Sequence, residues 1–163
     1  MTLAKTFARA VLFAALIAPV AAPAMAGPNE IAYLQRLVAT WTGKGKISGE
    51  DGGNVACRMV IKAAGDRLNF NGRCAVAGGS TSQSFSGRIS YDDKQGAYVS
   101  SSQGNSVAGK KSGNTLTFAT TMADLRGKGS TTMSLSPSSI KVQFKITQSS
   151  GQVNQGTIPF TKG

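Results

Sequence analysis

Two cysteines stand symmetrically about a two-residue turn signal, and this arrangement restricts the fold more than any other feature of the chain. If Gly65-Asp66 is the loop of a hairpin, with glycine first as a type II′ turn requires, paired residues carry numbers summing to 131 and Cys57 faces Cys74. Alternation outward from the loop makes 57:74 a non-hydrogen-bonded pair, where Cα atoms approach most closely and a cross-strand disulfide fits. The same register puts Met59 with Gly72, Ile61 with Phe70 and Ala63 with Leu68 on one face. Arg58 with Arg73, Val60 with Asn71 and Lys62 with Asn69 fall on the other. One face is apolar and the other polar and basic, so the hairpin is expected to lie with one side on a core. The disulfide closes a short loop and is expected to stabilise the fold by about 3 kcal/mol. Arginines directly opposite each other repel mildly.

A period of two runs through the rest of the chain. Ile47 is read as the start of a first strand, and alternation continues over 55–63, 68–75, 84–91, 97–102, 114–122, 130–135, 140–148 and 157–161. Gly, Asp, Asn, Ser or Pro fill the gaps, including Asp92 to Gly96, Lys111 to Gly113 and Ser136-Pro137. Phe85, Gly87, Ile89 and Tyr91 share a face, as do Leu116, Phe118, Thr120 and Met122, and as do Ile140, Val142, Phe144 and Ile146. The inward set mixes large with small residues, as a tapering barrel interior requires. The expected fold is all-β: one antiparallel up-and-down barrel of 8–10 strands, preceded by one short helix. That helix is predicted from Asn29 as its cap to about Thr40, with Ile31, Leu34, Val38 and Trp41 on its apolar stripe. An outer-membrane barrel would need an apolar outward band on every strand, and the Ser, Gln, Gly and Asn of 81–90 and 98–106 do not supply one.

Residues 1–26 read as an address. Lys5 and Arg9 precede an apolar run over Ala10–Val20, and Ala24-Met25-Ala26 offers small residues where signal peptidase cuts. Removal after Ala26 leaves one domain, 27–163, with 16 basic against 7 acidic side chains, a net +9. No segment is long and apolar enough for a transmembrane helix. A periplasmic or secreted location is expected, where the two cysteines pair.

Histidine is absent. That removes imidazole ligation of haem or zinc and the His-activated nucleophiles, so no metal, cofactor or catalytic residue is assigned and the chain reads as non-enzymatic. A hydrolase using carboxylates alone would need two of Glu50, Asp51, Asp92, Asp93 and Asp124 in one cleft.

The segment Leu37-Val38-Ala39-Thr40-Trp41-Thr42-Gly43-Lys44-Gly45, a helix running into a Trp-bearing strand, resembles the start of calycin-type barrels. These include lipocalins, fatty-acid-binding proteins and small bacterial lipocalin-like domains. Their motif is Gly-x-Trp, and here Ala39 replaces the glycine. The resemblance implies that Trp41 closes one barrel end against a basic residue from a late strand. The missing histidine sets aside the haem-binding members that use one on iron. The chain also resembles small periplasmic metalloprotease inhibitors, which pair a Trp-bearing first strand with a disulfide near the second and third. That resemblance implies a protein-interaction scaffold acting through an extended N-terminal segment and barrel-end loops.

Two binding surfaces follow. Trp41, Phe70, Phe85, Phe118 and Phe144 either line a cavity for a small apolar or amphiphilic ligand or simply fill the core. Arg58, Lys62, Arg73, Lys141 and Lys145 on strand faces, with Lys110-Lys111 and Arg126-Gly127-Lys128 in connections, either meet an anionic lipid or polysaccharide or form a solvated basic surface. Specific nucleic-acid recognition is not expected, because no aromatic is interleaved with the basic residues.

Overall fold

A computed structural model describes residues 27–50, 52–77, 82–124 and 127–163. The export signal read over 1–26 lies outside them, as do Asp51, Ser80, Thr81 and Arg126. The elements are α1 (Pro28–Gln35), β1 (Ala39–Ser48), β2 (Gly53–Ala64), β3 (Arg67–Val76), β4 (Ser82–Asp92), β5 (Ala97–Ser102), β6 (Asn105–Ser112), β7 (Thr115–Asp124), β8 (Gly127–Leu135), β9 (Ser139–Gln148) and β10 (Val153–Lys162). Each strand pairs antiparallel with the next, and β1 with β10, closing a ten-strand barrel. The fold is therefore the all-β up-and-down barrel that the periodicity implies.

The cysteine hairpin has the counted register throughout, from Ala64 opposite Arg67 to Cys57 opposite Cys74. Gly65 holds φ +68°, the left-handed region that glycine enters without penalty. The Cys57–Cys74 disulfide joins Cα atoms 4.1 Å apart on the inward face.

Three local expectations are corrected. The helix is shorter, and its cap is Gly27 with Pro28 in the first turn, where proline's fixed φ suits a helix and its missing N–H is not needed. Tyr33, Leu34 and Leu37 are buried, while Val38 is exposed and Trp41 lies in β1, which starts at Ala39 rather than Ile47. Gly43 and Gly45, which look like breakers, are interior strand positions occupied from across the sheet by Phe160 and Ile158. β6 falls where the sequence suggests a connection, because Val107 is its one bulky apolar residue. Gln103, φ 50°, and Gly104, φ 82°, make the tight turn into it. Lys110 and Lys111 therefore stand on β6, and Lys128 on β8.

Candidate functional site

The two ends of the barrel are built differently. At the end where β1 starts, α1 packs across the opening, with Tyr33, Leu34 and Leu37 buried against Trp41, Ile61, Leu68 and Leu116. The Tyr33 hydroxyl donates to the Leu135 carbonyl at 3.0 Å, with the Asn114 carbonyl 3.2 Å away, so the helix is tied to two turns of the barrel rim. Trp41 Nε1 donates to the Leu37 carbonyl at 3.1 Å, and Lys162 Nζ lies 5.3 Å from the Trp41 ring centroid. Lys162 is the register partner of Trp41 and also donates to the Arg36 carbonyl at 2.8 Å. This is the late-strand basic residue that the calycin resemblance implies. All three tyrosines gather at this end: Tyr98 makes edge contacts with Tyr33 at 5.7 Å and with Tyr91 at 5.1 Å. Burial, and then Glu30, Tyr33 and Tyr91, push the Tyr98 hydroxyl up to about 12. Burial raises Tyr33 as well, against the opposing pull of Arg36.

At the other end the inward-facing side chains become accessible. Along β9 exposure rises from 1% at Ile140, through half-buried Val142 and Phe144, to 44% at Ile146. Along β7 it rises from 0% at Leu116, through buried Phe118 and half-buried Thr120, to 61% at Met122. Met122, Gly129 and Ile146 are successive register partners, as are Thr120, Thr131 and Phe144. Among the described residues, no element packs across this end as α1 does across the other, and the inward-facing Met122 and Ile146 reach solvent there.

The five rings expected to face the interior divide between the ends. Trp41, Phe70 and Phe118 are buried in the half beneath α1, whereas Phe85 and Phe144 are half-buried nearer the mouth. Phe160, passed over in the sequence, joins the buried set. Every phenylalanine of the barrel is the register partner of a glycine on the next strand: Phe70 with Gly87, Phe85 with Gly72, Phe118 with Gly109, Phe144 with Gly156 and Phe160 with Gly43. At each glycine the nearest atoms to a hypothetical Cβ include those of its partner ring. Each ring thus lies over its glycine, along the wall and not toward the axis, as when an aromatic covers the gap a strand glycine leaves.

The outer wall is basic. Arg58, Lys62, Arg73, Lys141 and Lys145 are all exposed on outward faces, joined by Lys44, Lys46 and Arg88. The described carboxylates stand elsewhere: Glu30 in α1, Glu50, Asp66 and Asp93 in turns, and Asp92 and Asp124 as last residues of their strands. Asp92 is engaged by the backbone N–H groups of Lys94 and Gln95, at 2.9 and 3.1 Å. Glu50 lies at the open end and Asp92 and Asp93 at the closed end, so the fold does not bring these together. Among the described residues, no group of three metal-ligating side chains occurs. Two grooves open on the outer wall. One, of about 670 Å³, includes Arg58, Asn71, Arg73, Ser84 and Ser86. The other, of about 600 Å³, includes Lys46, Thr132, Gln143, Lys145 and Gln155.

No family model matches the sequence, and no curated protein sequence matches it. Solved structures do share its shape. Rv2717c from M. tuberculosis superposes with a TM-score of 0.58 at 7% identity, covering 82% of this chain and 96% of that one. The S-type phycobiliprotein lyase CPES from Guillardia theta superposes with a TM-score of 0.59 at 10% identity, covering 81% and 91%. At these identities the likeness is one of fold alone. It corrects one expectation. The histidine-free composition reads as non-enzymatic, but this barrel architecture also carries a protein named as a lyase, and the exclusion of an enzyme is overturned.

Proposed function

We propose that the barrel takes up a small apolar or amphiphilic molecule through its open end. The observation behind this reading is the rise in exposure along β7 and β9, where Met122 and Ile146 point inward and yet meet solvent. The apolar part of the ligand lies against Phe144, Val142 and Phe85, and its polar part is left near the Thr120 and Thr131 hydroxyls at the mouth. The half beneath α1 is floor and does not enter the site. Trp41, Phe70 and Phe118 therefore support the pocket without touching the ligand. Export through residues 1–26 and the Cys57–Cys74 disulfide fit a protein that works outside the cytoplasm.

Mass spectrometry of protein purified gently from its native compartment tests the first half of this reading. A co-purifying small molecule is expected, and a mature mass beginning at Gly27. Binding of the amphiphilic dye anilinonaphthalene sulfonate tests the second half. Thr131→Phe fills the mouth between Thr120 and Phe144 and is expected to abolish dye binding while Trp41 emission still reports a folded barrel. Unchanged dye binding in this variant overturns the reading.

A further inference from the structure

The outer wall carries a second site. Arg58 and Arg73 are register partners on the outward faces of β2 and β3, both exposed. Like charges directly opposite each other destabilise a sheet. Arg73 Nη2 donates to Ser82 Oγ at 2.6 Å, an uncharged acceptor, and among the described residues no carboxylate pairs with either guanidinium. The two side chains flank the groove of about 670 Å³, with Asn71, Ser84 and Ser86 as further hydrogen-bonding groups and Val60 among its apolar lining. Two guanidinium forks side by side match a carboxylate, sulfate or phosphate oxygen pair, and an anion between them turns their repulsion into attraction.

The surroundings bear on what carries such anions. From Arg73 on β3 the basic wall continues through Arg58 on β2 and Lys44 and Lys46 on β1 to the second groove, with Lys145 on β9. Four strand steps separate β3 from β9 in the closed sheet, about 19 Å along the wall at ordinary strand spacing. Exposed cations stand on the consecutive strands β8, β9, β10, β1, β2, β3 and β4, the one on β10, Lys162, lying at the helix-covered end. A flat bilayer touches one side of a barrel, whereas a linear chain can follow this band around it. Among the described residues no aromatic takes an outward strand position in the band, and Phe85 and Phe144, which help to line the two grooves, hold inward positions beside Gly72 and Gly156. A wall without stacking platforms suits neither single-stranded nucleic acid nor a neutral sugar. Its hydroxyls and amides beside cations suit an acidic one. We propose that the outer wall binds an extended acidic polysaccharide, with Arg58 and Arg73 clamping one anionic group and Lys46 and Lys145 meeting another farther along the chain. This site is independent of the open mouth.

Heparin serves as the probe, with the whole exported chain and the binding constant measured as a function of salt. Arg58→Gln/Arg73→Gln is expected to weaken heparin binding at least about tenfold, as loss of two charge-assisted contacts requires. Arg58→Lys/Arg73→Lys keeps the charge, loses the fork, and is expected to fall between that variant and the unaltered protein. Lys94→Gln/Lys110→Gln removes the same net charge outside both grooves and is expected to change binding by no more than about twofold. Trp41 emission verifies that each variant is folded. Equal losses in the arginine and control variants would reduce the effect to net charge and overturn the proposal. Tighter binding to phosphatidylglycerol vesicles or to single-stranded DNA than to heparin would also overturn it, as would the absence of heparin binding at physiological ionic strength. Dye binding at the mouth stays unchanged in all three variants, so failure of one site is distinguishable from failure of the other.

Discussion

Replacing Gly72 by alanine tests whether the phenylalanine rings lie over their glycines. A Cβ on Gly72 falls well inside 3 Å of Phe85 Cζ, 2.7 Å from Phe85 Cε2 and 2.8 Å from the Arg58 carbonyl oxygen on β2. Contacts tighter than 3.4 Å are uncommon, so the ring must retreat by about 1.1 Å and the carbonyl by about 0.6 Å. The ring can turn away at the expense of its packing, but the carbonyl belongs to a paired strand and cannot. Overpacking of this kind costs about 2 kcal/mol. Gly129 is the internal control: it too faces inward, but a Cβ there meets nothing nearer than 3.8 Å, the Met122 methyl, and its φ is not positive. Gly129→Ala is expected to be neutral or to stabilise by about 0.5 kcal/mol, through the lower entropy of the unfolded chain. The single tryptophan, Trp41, is fully buried, so urea unfolding followed by its emission reads both variants. With a slope of about 2 kcal/mol per molar, their midpoints should differ by about 1 M. Gly72→Ala/Phe85→Leu is expected to recover about half of the loss, because only the ring contact is relieved. Equal midpoints for the two single variants would refute both the ring placement at Gly72 and the open space at Gly129.

Reducing the disulfide, or replacing both Cys57 and Cys74 by serine, is expected to lower stability by about 3 kcal/mol in the same urea assay and to leave the β2–β3 register unchanged by amide NMR. Alkaline titration followed by tyrosine absorbance should show a step near 12 that Tyr98→Phe removes. The raised folded-state value means that the unfolded chain releases this proton first, so the contribution is intact below pH 10 and stability falls as pH climbs from there toward 12. A chain equally stable at the two ends of that window would contradict the buried placement of Tyr98.

The cysteine hairpin was legible residue by residue, because a two-residue loop fixes register by counting and a period of two assigns every side chain to a face. The inward stripes of β7 and β9 and the outward lysines of β9 follow from the same period. Depth does not. Period two places Ile140 and Ile146 on one face and says nothing of which lies beneath α1 and which at the mouth. That depends on where the helix docks, and Tyr33 is held there by carbonyls 81 and 102 residues away. Glycine was ambiguous for a related reason. Gly65 makes a turn, whereas Gly43 receives a ring from Phe160 at the far end of the chain, a partner that no local pattern reveals. β6 was missed because its inward positions are Asn105, Val107, Gly109 and Lys111, a pattern that becomes a strand only when Phe118 covers Gly109 from β7. The sequence by itself determined an antiparallel β protein, its disulfide, the register of one hairpin and the faces of most strands, since these depend on local turn geometry and alternation. Closure of β1 on β10, the plugged and open ends, the Trp41 and Lys162 contact and the grouping of cations from separate strands into one wall were decided by tertiary structure, because each joins residues far apart in the chain.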